Sequence, residues 1–527
     1  MTNIPNDELG ALPSNSSFET LAIQYNQSAQ FFLCKRSTQS PDHRETHLHM
    51  KSIFFGFLLL LLSNLSAQDI SNYDPDKKYH PDSLQRWTTS IMTELGKKHP
   101  GFYRYTTKAR FDFLIDSTTQ TIKDSLNEFS FYRKIKPLFA QIGCLHTGIN
   151  LSEACNNYLD STSTLLPFEV FIDEDKKVYV VKNYSINPSF PLKAEILSIN
   201  KQPITEILHT LIKAIPADGY NESEKILLLN HRFAFWYQTM IELSENFTIH
   251  TKFQEKEATH VVKGVNKALF PTLASLESAN VKQLNLDIVD KTGILTIHSF
   301  AKSVIKKNGQ RFKQFINSTF TTLKKQGIEN LVIDLRYNSG GTDGNAAFLA
   351  SYFFDRRFRY WEKIEVTEAV AKEIRGVYRL FFRKPEQQDS TYLWKKTWVT
   401  SEFDYYQVQK PARHIFKGQT YLLTNGLCMS SCSDFTAILA HNKKALVIGQ
   451  ESGGGYQGNS SGMMPTTSIP TGLNISVPLQ KYTNAVDPKI NFGRGTIPNY
   501  ILYPSVEDWM SKKDVEMEFV LKLIKSN

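Results

Sequence analysis

The chain has 527 residues, of which 41% are apolar and 12% aromatic, so it is a globular protein of about two or three domains and not a disordered or fibrous one. Its net charge of +9 arises from 61 basic and 52 acidic residues spread along the whole length. No dense Lys/Arg block and no nucleic-acid motif occurs, so nucleic acid is not an expected partner and the charge reads as a mixed, solvated surface.

In chain order, the first patterned segment runs from Met50 to Gln68. It has a short basic start at Lys51, an apolar run over residues 53–62 and a small-residue end at Ala67, the layout of a secretory signal peptide. The run is too short to span a bilayer comfortably. Residues 1–49 are polar and irregular and read as a non-native upstream extension, with Met50 as the start; a cytoplasmic tail ahead of an uncleaved anchor is the alternative. The expected product is exported, periplasmic or extracellular, after cleavage near Ala67, and meets a membrane only through this segment. No Cys follows the run, so a lipoprotein anchor is not supported.

Apolar residues at three-to-four spacing from Ser83 to Leu95, and again from Phe129 to Ile142, predict a helical segment over 75–160. Residues 166–265 change character. Strand patterns occur at Lys177–Lys182, Ala194–Ile199, Glu245–His250 and Ala258–Val262. The stretch Ala194–Ile204 resembles the strand and turn of PDZ domains, with Lys201 where a glycine is usual and without the Gly-rich carboxylate loop. It implies a degenerate PDZ-like module, serving either to position a substrate tail by strand addition or as a spacer. Over 284–512 strands and helices alternate: Ile294–His298, Gln310–Lys325, Leu331–Leu335, Gly344–Phe354, Thr420–Leu423, Ser433–His441 and Ala445–Ile448. This pattern predicts an α/β core with a largely parallel sheet. The aromatic, charged stretch 355–417 breaks the alternation and reads as an insertion that could cover the site.

Two segments of that core carry chemistry. Asn330-Leu-Val-Ile-Asp334-Leu-Arg336-Tyr-Asn338-Ser-Gly340-Gly341 reads as a buried strand running into a Gly-paired turn. Cys428-Met-Ser430-Ser431-Cys432-Ser433-Asp434 reads as a turn that presents a serine and opens a helix. Backbone N–H groups at such a turn, with a helix N-terminus, suit a developing oxyanion.

These residues resemble the tail-specific (C-terminal processing) protease superfamily, on its tricorn-like and interphotoreceptor retinoid-binding protein side. Members carry Asp-Leu-Arg-x-Asn-x-Gly-Gly, here Asp334–Gly341, then Ser-x-(Ser/Ala)-Glu, here Ser431–Asp434. Val447–Gly455 is similar to the family's Ile-Gly-Glu-x-Thr-x-Gly turn, and Gly495-Thr-Ile-Pro498-Asn499 to its Gly-Ile-x-Pro-Asp. The resemblance covers roughly residues 285–510 and implies a ClpP/crotonase-like core. It points to Ser431 as nucleophile, with Ser430 and Ser433 as neighbours in the same turn. Gly340, Gly341 and Cys432 would supply the oxyanion hole.

The lysine that serves as base in the tail-specific branch is missing from Gly453-Gly454-Gly455-Tyr456, and Lys443 and Lys444 are poorly placed to replace it. Ile142-Gly-Cys144-Leu-His146-Thr147-Gly148 resembles the segment that carries the histidine in the tricorn-like branch, which makes His146 the expected base; an imidazole accepts a proton near neutral pH. The acid that would orient it departs from the family pattern. Phe492 stands near the expected glutamate, with Asp487 and Glu451 as substitutes. The reading is an exported serine peptidase acting on proteins or peptides through an acyl-enzyme. The alternatives are a ligand-binding protein on the same fold, as in the retinoid-binding modules, and an esterase.

No cofactor is implied. Without Cys-x-x-Cys or paired histidines no metal site is expected, and Gly453–Gly458 lacks the Lys of a phosphate loop. Beyond residue 67 the cysteines are Cys144, Cys155, Cys428 and Cys432, readable as two disulfides or as buried thiols. Oligomeric state is not legible.

Overall fold

The computed structural model describes residues 73–270, 282–376, 379, 382–395 and 408–526. The expectations for residues 1–67 lie outside them. Among the described residues no helix is long and apolar enough to cross a membrane.

Helices Pro81–Lys98, Lys108–Gln120 and Glu128–Ala140 open the fold. The first is a well-signalled helix. Pro81 occupies its first turn, His80 Nδ1 accepts the Asp82 N–H, and Lys97 and Lys98 sit in its last turn. Leu84, Thr88, Ile91, Met92 and Leu95 form its buried stripe.

Next comes an antiparallel sheet in the order Phe168–Ile172, Val178–Asn183, Glu195–Ile199, Asn246–Phe253, Lys256–Lys263, with the short strand Gln202–Pro203 on Glu195–Ile199. Asn200 (φ 48°) and Lys201 (φ 68°) are both left-handed, as a two-residue hairpin requires, so Lys201 takes the backbone shape expected of glycine. Helix Ile204–Ala214 buries Ile204, Ile207, Leu208 and Leu211. Helix Ser223–Met240, kinked at Arg232 (φ −138°, ψ 22°), packs on Phe168–Ile172.

The core is a six-stranded sheet in the order Tyr500–Ile501, Leu446–Gly449, Gln419–Thr424, Asn330–Asp334, Thr292–Ile297, Leu284–Val289. Neighbours are parallel except for the Leu284–Val289/Thr292–Ile297 hairpin. Leu331, Val332 and Ile333 are fully buried, because helices cover both faces. Leu331 and Ile333 point to the side of helices Phe312–Lys325, Asp343–Ala350 and Ser431–His441. Val332 points to the side of Val515–Ser526. In open parallel sheets the chemistry collects beyond the C-terminal strand ends; here those ends are Asp334, which opens the first motif, and Thr424, which leads into the second.

Two further sheets were not foreseen. Trp361–Val366 pairs with Gln480–Asn484 in a five-stranded antiparallel sheet, so part of the 355–417 stretch is woven into the molecule. Gly148–Asn150 pairs with Asn474–Ser476, which pairs with Thr466–Ser468. That pairing fastens the chain just after His146 to the C-terminal half.

A charge cluster closes the motif strand. Arg336 grips Asp334 at 2.7 Å, Asp514 at 2.6 Å and Glu516 at 3.1 Å, tying the end of Asn330–Asp334 to helix Val515–Ser526.

Candidate active site

Ser431 is the first residue of helix Ser431–His441 and is buried; its Oγ has no hydrogen-bond partner among the described residues. Ser430 before it has φ 51° and ψ −131°, so the turn is sharp. The two motif loops are zipped together. Met429 N–H donates to Asn338 O at 3.1 Å. Gly340, at φ 97°, lies so close that a Cβ there would sit 2.8 Å from Met429 O and 3.1 Å from Ser431 N. Only glycine allows this approach.

The expected oxyanion donors are not equivalent. Cys432 N–H donates to Met429 O at 3.0 Å and Gly340 N–H to Asn338 Oδ1 at 2.9 Å, so both are spent on the turns themselves. Gly341 N–H makes no hydrogen bond among the described residues. Its φ of 137° and a hypothetical Cβ 2.2 Å from Ala301 N again restrict the position to glycine.

Behind the serine turn runs the loop of residues 453–455. Gly453 N–H and Gly454 N–H both donate to Cys428 O, and Gly454 N–H also to Ser433 Oγ at 3.0 Å; Ser433 Oγ in turn donates to Cys428 O at 2.6 Å. Ser433 is therefore a strut of this loop. A Cβ on Gly453 would lie 2.0 Å from Gly426 O, and one on Gly454 2.6 Å from Ser433 Oγ. These two positions have no room for a side chain, lysine included. Lys443 and Lys444 follow the far end of an 11-residue helix, about 16 Å from its start.

His146 follows helix Glu128–Ala140 on a short turn. The ring is partly exposed, but its Nδ1 is buried and lacks a hydrogen-bond partner among the described residues. Burial pushes its pKa down to about 4, against an upward pull from the Ser460 backbone. No hydrogen bond joins His146 to Ser431 in this conformation; both offer a buried, unpaired polar atom.

Asp218 links the two regions, and sequence reasoning did not single it out. Its Oδ1 accepts the N–H of Leu145, the neighbour of His146, at 3.1 Å, and its Oδ2 accepts the Gly455 N–H at 3.0 Å. Its carboxylate, the His146 ring nitrogen and Cys144 Sγ lie within 4.8 Å of one another. Burial raises the Asp218 pKa to about 6, against the pull of its two N–H donors and Arg104. Nothing in Ala217-Asp218-Gly219 resembles a motif; only the fold brings it to His146.

The two acids considered from sequence are placed otherwise. Glu451 is gripped by Arg494 (2.9 Å and 2.5 Å) and accepts from Gly495 N–H and Asn221 Nδ2, a fully engaged brace. Asp487 accepts the Lys489 N–H at 2.8 Å within its own turn. Phe492 is half exposed and packs against Tyr105, ring centroids 5.5 Å apart.

Asp434, in the first turn of the serine helix, is buried and accepts from Asn484 Nδ2 at 2.9 Å. Burial raises its pKa to about 8, opposed by that hydrogen bond. Cys144, Cys155, Cys428 and Cys432 are buried free thiols, with Cys428 and Cys432 sulfurs 2.7 Å apart. A cavity of about 310 Å³ opens between strand Phe168–Ile172, helix Ser223–Met240 and the core residues Glu451 and Arg494.

Residues 291–502 match the family model described as Peptidase family S41. Mature CPAF complexed with lactacystin is similar in fold, with a TM-score of 0.57 at 14% identity, covering 84% of this chain and 97% of that one. Mature CPAF gives 0.54 at 13% identity, over 84% and 96%. The photosystem II D1 C-terminal processing protease aligns over 80% and 93% at 12% identity, with a TM-score of 0.37.

Proposed function

We propose that this chain, whose residues 291–502 match Peptidase family S41, is a serine peptidase of the tail-specific protease superfamily and that it works through a Ser431/His146 pair rather than a Ser/Lys dyad. The observation that carries this is the packing at Gly453 and Gly454, where the backbone leaves no space for the lysine of the other branch. An acid–base group is still required, because a serine hydroxyl is a weak nucleophile by itself.

Ser431 Oγ attacks the scissile carbonyl and His146 takes its proton. The Gly341 N–H, with the positive end of helix Ser431–His441, meets the developing oxyanion. Gly340 and Cys432 N–H join only when their turns reopen. His146 returns the proton to the leaving amine, and water releases the acyl-enzyme. Asp218 is the positioning acid, holding the His146 turn through Leu145 and favouring the imidazolium formed in the transition state. Catalytic contacts commonly tighten only with substrate bound, so the lack of a Ser431–His146 hydrogen bond in this conformation does not oppose the assignment.

The substrate is a protein or peptide. The cavity between Phe168–Ile172 and Ser223–Met240 lies beside a sheet edge, where an extended chain end could add as a strand. Export after cleavage near Ala67 completes the reading.

Fluorophosphonate labelling of the purified chain tests it. Wild type is expected to label and Ser431→Ala and His146→Ala are not. A folded wild type that stays unlabelled would favour the ligand-binding alternative. Peptide and simple-ester panels then separate peptidase from esterase.

A further inference from the structure

We propose that Cys144, His146 and Asp218 form a binding site for a zinc-like divalent cation, and that filling it silences the peptidase; the second part rests on the assignment of His146 as base. One donor atom from each residue lies within 4.8 Å of the others, and Asp218 comes from a turn 72 residues beyond His146 in sequence. That separation is why no metal spacing is visible in the sequence. Donors around a tetrahedral zinc stand about 3.4 Å apart, so shifts of about 1 Å or less per side chain close the site.

Three observations support a ligand here. Cys144 and Asp218 are almost fully buried, whereas His146 is partly exposed and leaves a way in. The buried His146 Nδ1 has no partner among the described residues. The Asp218 carboxylate is preset by the N–H groups of Leu145 and Gly455, the outer-shell support that metal-binding carboxylates use. The nearby Arg104 donates to the carbonyls of Gly458 and Gln457.

The donor set selects the ion. Thiolate, imidazole and carboxylate together suit zinc better than magnesium or calcium, and their two negative charges balance a dication. Binding takes the thiolate, so the Cys144 proton leaves to solvent as the sulfur–metal bond forms. The Cys144 thiol gives up its 3.5 Å contact to Ser460 O. With its lone pair on the metal, His146 accepts no proton from Ser431.

Zinc chloride is titrated against a metal-indicator dye in the presence of wild type, Cys144→Ser and Asp218→Asn. Fluorophosphonate labelling is followed with zinc and with a chelator. Wild type is expected to bind one zinc. Each substitution should weaken it by more than the roughly 10–100-fold that outer-shell changes cost. Zinc should suppress labelling of wild type and leave Cys144→Ser labelled at the same concentration. Cobalt(II) in wild type should show a thiolate charge-transfer band, a reading that needs no variant. Equal zinc binding by wild type and Cys144→Ser, or no cobalt–thiolate band, overturns the site. Equal suppression of both forms overturns the inhibition. Cys144-dependent zinc binding without labelling in any condition leaves the site standing and removes the peptidase mechanism.

Discussion

Asp218 accepts the Gly455 N–H at 3.0 Å across 237 residues of chain. The same carboxylate holds Leu145, so one side chain sets the distance between the histidine turn and the glycine loop that backs the serine. Asp218→Asn retains one acceptor but turns an amide N–H toward a backbone donor. Labelling is expected to fall by roughly 10²–10⁴-fold, the usual worth of acid–base assistance. Asp218→Glu should restore part of it. A merely structural role would instead lower labelling only in step with thermal stability and leave its pH profile unmoved.

Gly341→Ala tests the oxyanion assignment together with the fold. The added Cβ would meet Ala301 N at 2.2 Å, and the φ of 137° disfavours any side chain. A loss of about 1–3 kcal/mol is expected in urea denaturation, with labelling lost in the protein that remains folded. Unchanged labelling in the folded variant would remove Gly341 from the mechanism.

Arg336→Ala leaves Asp334, Asp514 and Glu516 facing one another. The Asp334 and Glu516 side chains are largely buried, 15% and 10% exposed. The expected cost is about 3–5 kcal/mol, since an uncompensated buried charge remains. Helix Val515–Ser526 should then become the first target of added protease. Arg336→Lys should recover part of the stability, but not the bidentate grip.

His99 makes stability depend on pH. Its Nδ1 accepts the Gly101 N–H, and burial lowers its pKa from 6.5 to about 3. The folded protein therefore refuses a proton that the unfolded chain takes. Stability is fully present above pH 6.5 and is lost as pH falls toward 3, at about 1.4 kcal/mol per unit of pH in that window. Urea midpoints measured from pH 7.5 to 5 should drop in wild type and drop less in His99→Asn. Equal slopes would remove His99 as the cause.

Thiol alkylation under native conditions should leave all four cysteines of the described region unmodified, and unfolding should expose them together. Rapid native modification of Cys428 or Cys432 would show that the serine turn opens.

Much of this architecture was legible, and the reasons are local. The run Leu331–Ile333 is apolar on both faces and flanked by turn residues, so it reads directly as a buried parallel strand. Gly340 and Gly341 are readable as a tight approach because only glycine tolerates those φ values. The sheet containing Trp361–Val366 was not legible, since its partner Gln480–Asn484 lies more than 100 residues away and neither strand is long. Cys432 and Gly340 were read as oxyanion donors from their positions; that their N–H groups are spent within their own turns is a matter of dihedral angles. Asp218 was invisible for a different reason: a lone carboxylate beside a glycine resembles any loop, and its meaning comes from Leu145 and Gly455.

The tie between Asp218 and Gly455 also sets an order in time. A ribosome delivers Cys144, His146 and Asp218 early, Ser431 late and Gly455 later still. The strand that anchors the histidine turn, Gly148–Asn150, waits for Asn474–Ser476. An incomplete chain therefore holds the histidine turn without the two late partners, Gly455 and Asn474–Ser476, that fasten it to the C-terminal half.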